Sequence, residues 1–409
     1  MRKANPLIVG LDIGTTKVCA VVAERREMGL EIIGLGTSPS TGMRKGVVVD
    51  IEATVQSITK AIEEAEAMAH CEIRSVLVGI SSGYIKGFNS TGMIALREEE
   101  VAAEDVERVI EAAKAVAIPT DREVLHVLPR EFILDRQGGI KDPVGMRGVR
   151  LEVNCHIVTG QAASAANLIR CCHQSGLDVD DVILEPLASA EAALTPEERE
   201  LGVALMDIGG GTSDVVVFVN DAVAHTVVLG LGGTQITNDV AHGLHTTAAN
   251  AEWLKKRYGH CLPSKGIAGD QIEVESLGDR EPRLVDRREL CEIIEARVHE
   301  ILTLIHEEIL RQELEMAIPA GVVLTGGCAE LRGIEELAES IFGCPVRVGR
   351  PRHIGGLIDV ASSPMYATGV GLVLMGARNL SYAKMRIREG QVFEKVLERM
   401  KTLVKKVLS

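Results

Sequence analysis

The sequence predicts an α/β fold of two similar lobes that share a duplicated core, with an inserted subdomain in each lobe. The chain has 409 residues, which exceeds the size at which a single hydrophobic core usually divides. One sequence pattern occurs twice, about half the chain apart, and predicted strands alternate with predicted helices between the two copies. Two stretches depart from this alternation and predict the inserted subdomains.

The repeated pattern occupies residues 7–24 (LIVGLDIGTTKVCAVVAE) and residues 201–219 (LGVALMDIGGGTSDVVVFV). Each copy has an apolar strand, the tripeptide Asp-Ile-Gly, a turn rich in glycine and threonine, and a second β-branched strand. Turn residues between two β-branched runs predict a hairpin. Asp12 and Asp207, which lead the two turns, occupy equivalent positions, so duplication of one domain explains the two hairpins.

The first half contains the following predicted elements: a strand at 44–50, a helix at 51–69, a strand at 75–80, a charged helix at 98–117, and strands at 123–134 and 149–158. The last three elements lie in residues 86–159, which we predict to be an inserted subdomain. The first lobe is then expected to comprise residues 1–85, 160–200 and 355–380.

The second half contains long helical patterns at 234–258 and 286–315, which enclose a strand-like stretch near 270–277. We predict that residues 234–315 form the second inserted subdomain. The second lobe is then expected to comprise residues 201–233 and 316–354. A strand and turn follow at 321–327, and a buried helix is predicted at 365–377.

The composition excludes several classes of protein. Aromatic residues make up only 2% of the chain and the net charge is -14, which argues against stacking on single-stranded nucleic acid and against binding a phosphate backbone. The nine cysteines form no C-x-x-C pair, so we expect small buried residues instead of a zinc site or a disulfide framework. No signal peptide or run of about 18 apolar residues is found, which predicts a soluble or peripheral protein.

The two predicted turns carry groups that suit a phosphate chain and a magnesium ion. Backbone N–H groups and hydroxyls in such turns donate hydrogen bonds to phosphate oxygens, and a lysine adds positive charge. The first turn offers Gly14, Thr15, Thr16 and Lys17, and the second offers Gly209, Gly210, Gly211, Thr212 and Ser213. The leading aspartates, Asp12 and Asp207, are the predicted ligands of hydrated Mg²⁺, which needs few protein carboxylates.

Either turn alone is compatible with a plain hairpin. Two matching turns, each with a leading aspartate, are a far more specific sign of a phosphate-binding site. A third element, 322-VVLTGGCAEL-331, predicts a strand, a Gly-Gly turn and the start of a helix. Gly326 and Gly327 could let an adenine ring lie against bare backbone, although an ordinary strand-to-helix turn has the same pattern.

The three elements resemble the phosphate-1, phosphate-2 and adenosine motifs of the actin-like ATPase superfamily, whose lobes share a duplicated ribonuclease-H-like core. Over almost its full length the chain resembles the FtsA family of bacterial cell-division proteins. The segments that carry this resemblance are 185-EPLASAEAAL-194, 230-GLGGTQITNDVA-241, 251-AEWLKKRYG-259 and 282-PRLVDRRELCEIIEARVHEI-301. In this family one usual actin subdomain is absent and a different one is inserted elsewhere, at the position of residues 86–159. There it is an SHS2-like subdomain that takes part in self-assembly and recruitment.

The resemblance implies further site residues. Glu185 matches the acidic residue that positions water or magnesium, although a carboxylate before Pro186 could simply stand near the start of a helix. Glu252 and Lys255 match a pair that holds ribose and adenine; residues three apart share a helix face, but such a pair is often only solvated. Gly232 and Gly233 lie where relatives approach the phosphates.

The C-terminal residues 392–409 predict a basic amphipathic helix, preceded by a linker at 381–391. Its apolar residues recur at helical spacing, and Lys405 and Lys406 stand on its charged face. The residues predicted to contact lipid are Phe393, Val396, Leu397, Met400, Leu403, Lys405 and Lys406. Such a helix suits an anionic membrane surface, and in the FtsA family a C-terminal amphipathic helix is the membrane anchor. A terminal helix packed on its own domain is the alternative.

The resemblance implies an ATP-binding protein that polymerises like actin, tethers FtsZ filaments to the cytoplasmic face of the inner membrane at the division septum, and recruits later division proteins. FtsZ tails dock on the second inserted subdomain in this family, which makes Arg288 and Arg297 candidates to pair with an acidic tail; surface solvation is their other possible role. At most weak ATPase activity is expected. The alternatives are a pilus-assembly scaffold of the PilM type and a sugar or acetate kinase of the same superfamily.

Overall fold

The computed structural model describes residues 7–26, 29–265, 269–278 and 281–382. Within these ranges, none of the helices combines the length and the apolar character that crossing a membrane requires.

The first elements build most of one sheet and one long helix. They are β1 (Leu7–Ile13), β2 (Lys17–Arg26), β3 (Gly29–Pro39), β4 (Met43–Arg44), β5 (Val47–Val48), α1 (Ile51–Ala69) and β6 (Ser75–Ile80). Strands β1, β2 and β3 form an antiparallel meander, and β6 pairs in parallel with β1. The predicted strand at 44–50 is instead a short hairpin of β4 and β5, because Lys45 and Gly46 adopt positive φ and turn the chain.

Residues 86–161 form a separate sheet covered by one helix. Its elements are β7 (Lys86–Ala95), α2 (Ala103–Lys114), β8 (Arg122–Leu134), β9 (Gln137–Ile140) and β10 (Arg150–Gln161). The strand order is β7-β10-β8-β9, and every pair is antiparallel. Helix α2 is shorter than the predicted 98–117 because Glu100 and Val101 pair with the loop at Arg147 and Met146. The subdomain has a hydrophobic core of its own.

The chain then returns to the first sheet and crosses to the second lobe. The elements of this crossing are α3 (Ala162–Gln174), β11 (Asp178–Leu184), α4 (Glu185–Ala193) and α5 (Pro196–Leu201). Strand β11 pairs in parallel with β6 and forms an edge of the first sheet.

The second lobe begins with a meander that matches the first. It continues into helices, and the elements are β12 (Val203–Ile208), β13 (Ser213–Val219), β14 (Ala222–Leu229), α6 (Gly233–Gly243), α7 (Ala248–Tyr258), β15 (Gln271–Val274), β16 (Arg283–Asp286) and α8 (Arg287–Arg311). The predicted helix at 234–258 is two helices, because Thr247 caps α7 by accepting a hydrogen bond from the Asn250 amide at 3.2 Å. Strand β16, which pairs with β15, was not predicted.

The last described elements complete both lobes. They are β17 (Val322–Thr325), α9 (Ile334–Phe342), β18 (Val346–Val348), β19 (Gly355–Gly356), α10 (Ile358–Ala361) and α11 (Ala367–Tyr382). The first sheet has the order β11-β6-β1-β2-β3-β19, and the second has the order β14-β13-β12-β17-β18. Helix α11 reaches Tyr382, the last described residue, so the predicted linker at 381–391 lies almost entirely outside the described residues.

Helices α4 and α11 cross where the two lobes meet. A Cβ on Gly371 would overlap the backbone carbonyl of Ala188, so the crossing depends on glycine at that position. One hydrophobic core includes residues of both first strands, such as Leu11 and Leu205, and a second core lies beneath the second sheet. The lobes are therefore packed together behind a cleft that opens between their hairpins.

Candidate nucleotide site

The cleft between the lobes has a volume of ≈ 810 Å³. It brings together residues predicted from six separate stretches of the sequence, namely 12–17, 185, 207–212, 233, 252–255 and 326–327. The predicted residues that line it are Asp12, Gly14, Thr15, Thr16, Lys17, Glu185, Asp207, Gly209, Gly210, Thr212, Gly233, Glu252, Lys255, Gly326 and Gly327. Three of the residues that were predicted to bind nucleotide are not part of its lining. Ser213 directs its hydroxyl to the Leu231 carbonyl at 2.9 Å, and Gly211 and Gly232 pack against Thr15 and Gly209.

The two predicted turns have the same hydrogen bond at the same position. The Gly14 amide donates to the Lys17 carbonyl at 2.9 Å, and the Gly209 amide donates to the Thr212 carbonyl at 2.9 Å. The turns face each other across the cleft and touch, because a Cβ on Gly210 would overlap the side chain of Thr16. The sequence repeat therefore corresponds to two opposed hairpin turns, one from each lobe.

Asp207 is held by hydroxyl groups from two helices. Ser189 Oγ donates to Asp207 Oδ2 at 2.5 Å, and Thr368 Oγ1 donates to the same oxygen at 3.1 Å. Gly326 lies against the other side of this carboxylate with φ of 83°, and a Cβ there would overlap Asp207 Oδ1. The third predicted element is thus packed directly on the second turn.

Lys17 is engaged on the opposite side of the cleft. Its Nζ lies 3.4 Å from Asp12 Oδ2, donates to the Met365 carbonyl at 2.9 Å, and lies 4.9 Å from the centroid of the Tyr366 ring. A cation above an aromatic face is favourable. Lys17 is therefore fixed at the first turn by the segment that leads into α11.

Asp214 is a cleft residue that the sequence analysis missed. It follows the second turn, lines the cleft, and accepts a hydrogen bond at Oδ1 from Ser81 Oγ at 2.5 Å. The available signal was its place at the end of 207-DIGGGTSD-214, where a buried strand of valines begins. An acidic residue in that position needs a polar partner, and the partner comes from the other lobe.

Four carboxyl groups at the cleft have raised pKa values. Burial raises the pKa of Asp12, with Lys17 opposing it, and burial also raises that of Asp207, with Ser189 opposing it. The pKa of Asp214 is raised to about 7, and that of Glu185 is raised by burial and then by the charges of the three aspartates. In the described ranges no group of three or more His, Cys, Asp or Glu side chains could hold a metal ion. A hydrated divalent cation, which needs few carboxylates, fits this acidic cleft and would lower those pKa values.

Glu252 and Lys255 form the predicted pair on α7. Lys255 Nζ lies 2.6 Å from Glu252 Oε2 and donates to the Gly233 carbonyl at 3.1 Å and to Thr237 Oγ1 at 2.8 Å. Its side chain is buried. Burial, the largest single effect, would raise the pKa of Glu252, but the charge of Lys255 together with hydrogen bonds from Lys255, Thr237 and Lys256 lowers that pKa. This pair is fixed in the cleft wall and is not merely solvated.

The start of α6 closes the cleft beside the second turn. The amides of Gly233 and Thr234 donate to the carbonyls of Gly209 and Gly210 at 2.9 and 2.7 Å. Thr234 Oγ1 is buried at the cleft and has no hydrogen-bond partner in the described part of the chain. Thr234 was not singled out from the sequence, although it stands in the segment 230-GLGGTQITNDVA-241.

The remaining predicted residues lie away from the cleft or outside the described ranges. Arg288 is exposed on α8 and pairs with Glu292 at 2.9 Å. Arg297 binds Asp239 of α6 through Nε at 2.5 Å and Nη2 at 3.1 Å, and also pairs with Glu300. The predicted membrane helix at 392–409 lies outside the described residues.

Comparisons with known proteins show extensive similarity to one family. The family model "Cell division protein FtsA" matches residues 204–371, and the model "SHS2 domain inserted in FTSA" matches residues 82–159. The curated cell division protein FtsA of Pseudomonas aeruginosa is 47% identical over 409 residues, which cover 98% of each chain. The FtsA proteins of Escherichia coli K12 and Bacillus subtilis are 43% and 41% identical over 90% and 92% of this chain, and over 90% and 84% of their own lengths.

Solved structures with lower identity share the fold. A PilM–PilN type IV pilus biogenesis complex matches with a TM-score of 0.65 at 17% identity, over 90% of this chain and 98% of that chain. MreB5 of Spiroplasma citri bound to ADP matches with a TM-score of 0.58 at 14% identity, over 93% of this chain and 98% of that one. The MamK double helical filament matches with a TM-score of 0.52 at 13% identity, over 91% and 98%. The predicted actin-like fold is confirmed.

Proposed function

Because the chain belongs to the FtsA family of cell division proteins, we propose that it binds ATP with Mg²⁺ between its lobes, polymerises, and tethers FtsZ filaments to the cytoplasmic face of the membrane at the septum. In this proposal it also recruits later division proteins. Membership of the family is a finding. The binding of Mg-ATP, polymerisation, tethering of FtsZ and recruitment are our proposals. The observation that carries the nucleotide part is the pair of opposed turns, each with a buried aspartate, at one interlobe cleft.

The proposed arrangement gives each part of the nucleotide a set of residues. The amides and hydroxyls of Gly14, Thr15 and Thr16 would hold the phosphates from one side, with the charge of Lys17, and those of Gly209, Gly210 and Thr212 from the other. Asp12 and Asp207 would hold hydrated Mg²⁺. The Glu252–Lys255 pair would contact the ribose and adenine, and Gly326 and Gly327 would form the floor under the base.

We expect slow or negligible hydrolysis of ATP. Phosphoryl transfer depends on positioning and on charge stabilisation, and a carboxylate must be ionised to accept a proton from water. In the chain without nucleotide, Glu185, the candidate for that role, has a pKa well above its ordinary value because of burial and three neighbouring aspartates, so it could act as a base only once bound Mg²⁺ had lowered that pKa. Vigorous ATPase activity in the purified protein would contradict this expectation.

The FtsZ contact is proposed on the second inserted subdomain, around α8. Arg288 is exposed there, and its ion pair with Glu292 leaves it open to an acidic peptide. Arg297 is more strongly engaged, because Asp239 and Glu300 both hold its guanidinium. Reversing both charges, Arg288→Glu with Arg297→Glu, should weaken binding of the FtsZ tail; unchanged binding would remove this assignment.

The membrane contact is proposed for the basic amphipathic tail, on the sequence pattern alone. The test is co-sedimentation with anionic vesicles of the full chain and of a version that ends at Gly390, with and without ATP and FtsZ. The full chain should sediment with the vesicles and carry FtsZ, and the shortened chain should not. If both stay in solution, the tail is a packed or partner-binding helix and the tether is wrong.

The pilus scaffold and the kinase are weaker alternatives. The PilM complex shares only the fold at 17% identity, whereas the curated FtsA relative is 47% identical over 98% of the chain. The same vesicle experiment separates them, because neither alternative requires a tail that binds lipid.

A further inference from the structure

The inserted subdomain of β7–β10 and α2 lies across the edge strands of both lobes. Strand β11 is an edge of the first sheet, and β14 is an edge of the second. Strand β8 contacts both β11 and β14, and β7 and β10 also contact β14. Edge strands present backbone groups that have no strand partner. The subdomain therefore covers one edge of each lobe and is attached to both.

On the first lobe, to which the subdomain is joined by the chain itself and by the Lys141–Glu200 ion pair at 3.0 Å, His126 adds a hydrogen bond. His126 Nε2, on β8, accepts a hydrogen bond from the backbone amide of Leu184 at 2.9 Å. Leu184 ends β11 and is the N-cap residue of α4, so the next residue is the cleft acid Glu185. Burial lowers the pKa of His126 to about 4, so the imidazole is neutral near pH 7 and Nε2 remains an acceptor.

On the second lobe, the attachment is made by His156. His156 Nε2, on β10, lies 2.8 Å from Thr226 Oγ1 on β14, and its Nδ1 lies 2.8 Å from Asn89 Oδ1. The amide oxygen of Asn89 can only accept, so Nδ1 carries the proton and Nε2 accepts from the Thr226 hydroxyl. Burial, and then the charges of His225 and Arg130, lower the pKa of His156 to about 3. The two attachments are alike: each is a neutral imidazole that accepts from one lobe.

The two bonds join lobes whose opposed turns are in contact, which we call the closed arrangement. Gly210 packs against Thr16 and Gly211 packs against Thr15, so the two turns touch. Ser81 of the first lobe also reaches Asp214 of the second. Both histidine bonds are formed in this arrangement, and the bond to His126 is made by the residue that precedes Glu185.

We propose that the inserted subdomain holds the two lobes in the closed arrangement that binds nucleotide, through the bond from Leu184 to His126 and the bond from Thr226 to His156. His126 and His156 are thus positioning residues for the cleft. The inference rests on the proposed binding of nucleotide. Both bonds favour the same arrangement of the lobes, so the loss of one should reduce what the other contributes to nucleotide binding.

The experiment measures the affinity of the full chain for fluorescent Mg-ATP in four single variants and one double variant. His126→Leu removes one acceptor and Thr226→Val removes the other donor, while His126→Gln and Thr226→Ser retain a polar group in each place. His126→Leu and Thr226→Val should each weaken Mg-ATP binding about fivefold or more, and His126→Gln and Thr226→Ser should retain most of the wild-type affinity. The double variant His126→Leu with Thr226→Val should bind Mg-ATP with about the same affinity as whichever single variant binds it less tightly.

Two results would overturn the proposal: unchanged affinity in the Leu and Val variants, or full additivity of their losses in the double variant, which is expected of independent sites. Hydrogen exchange at the Leu184 amide gives a second readout. Mg-ATP should slow this exchange in the wild-type chain and not in Thr226→Val, whose altered residue belongs to the other lobe. If His126→Leu prevents folding, Thr226→Val and Thr226→Ser alone test the proposal. A wild-type chain that binds no Mg-ATP would instead refute the proposed nucleotide function, and this inference with it.

Discussion

Ser81 donates a hydrogen bond to Asp214 across the cleft, with 2.5 Å between the two oxygens. Ser81 follows β6 in the first lobe and Asp214 lies in β13 of the second, so the bond joins the lobes beside the opposed turns. Burial raises the pKa of Asp214 to about 7, because burial outweighs the opposing effect of the Ser81 bond. An aspartate with such a raised pKa destabilises the folded protein at neutral and basic pH, where its buried carboxyl group is ionised.

The first prediction concerns stability and pH in the absence of nucleotide. The unfolded chain loses the Asp214 proton near the ordinary pKa of 3.8 and the folded chain near about 7. Folding therefore takes up a proton between these values, and this contribution to stability falls as the pH rises through that window. Asp214→Asn keeps an oxygen for the Ser81 bond and removes the charge. Its free energy of unfolding should exceed that of the wild type at pH 8.

Urea unfolding followed by circular dichroism at several pH values measures this difference. The advantage of Asp214→Asn should shrink steadily from pH 8 towards pH 4. Saturating Mg-ATP should also shrink it at pH 8, because the cation offsets the charge of the wild-type carboxylate. A difference that does not vary with pH would contradict the assignment.

The second prediction compares two neighbouring lysines of α7 that both pair with Glu252. Lys255 is buried and also bonds to Gly233 and Thr237, whereas Lys256 is exposed and pairs with Glu252 at 3.1 Å. Lys255→Met should lower the free energy of unfolding by about 1–3 kcal/mol, since it removes a buried charged donor that Gly233, Thr237 and Glu252 share. Lys256→Met should change it by less than about 0.5 kcal/mol. Urea unfolding measures both variants. Equal losses of unfolding free energy would show that the buried hydrogen bonds of Lys255 stabilise the protein no more than the exposed ion pair of Lys256.

The sequence was sufficient for the features that depend on local pattern. Helix α1 spans the predicted residues 51–69 because Asp50 caps it and its apolar positions recur at helical spacing. The two turns with Asp12 and Asp207 were predicted because each copy supports the other. The split between α6 and α7 was missed although its signals, Gly243 and Thr247, are present in the sequence, because the helical spacing continues across them.

Features that depend on distant partners could not be predicted. Asp214 is the last residue of the motif 207-DIGGGTSD-214, but its role depends on Ser81, which lies 133 positions earlier. His126 and His156 bond to residues 58 and 70 positions away. Periodicity reports which face of an element is buried and does not report what lies opposite that face. These residues therefore emerged only from the packing of the lobes and the inserted subdomain.

The third prediction separates folding from binding with two adjacent glycines. Gly326 has φ of 83° and a Cβ there would overlap Asp207, whereas a Cβ on Gly327 would meet nothing within 4 Å. Gly326→Ala should lower the free energy of unfolding by about 1–3 kcal/mol or more. Gly327→Ala should leave stability within about 0.5 kcal/mol but place a methyl group in the cleft wall and weaken nucleotide binding. Thermal unfolding and titration with fluorescent ATP measure the two effects. A Gly327→Ala protein with unaltered nucleotide affinity would exclude this turn from the base site.

The fourth prediction uses two threonines of α6 that lie one turn apart. Thr237 Oγ1 donates to the Gly233 carbonyl at 3.0 Å and accepts from Lys255, so Thr237→Val should cost about 1–3 kcal/mol of stability. Thr234 Oγ1 is buried at the cleft without a hydrogen-bond partner in the described ranges. Thr234→Val should therefore leave the stability of the free protein within about 0.5 kcal/mol of the wild type.

The same Thr234→Val substitution should weaken ATP binding, because a hydroxyl beside the second turn has the position to donate to a phosphate. A hydrogen bond to a charged group contributes about 1.5–3 kcal/mol, which corresponds to an affinity loss of about tenfold or more. Calorimetric titration with Mg-ATP and with adenosine locates the contact: ATP affinity should fall and adenosine affinity should not. Equal loss for both ligands would place the hydroxyl at the base or ribose, and no loss for either would leave Thr234 outside the nucleotide site.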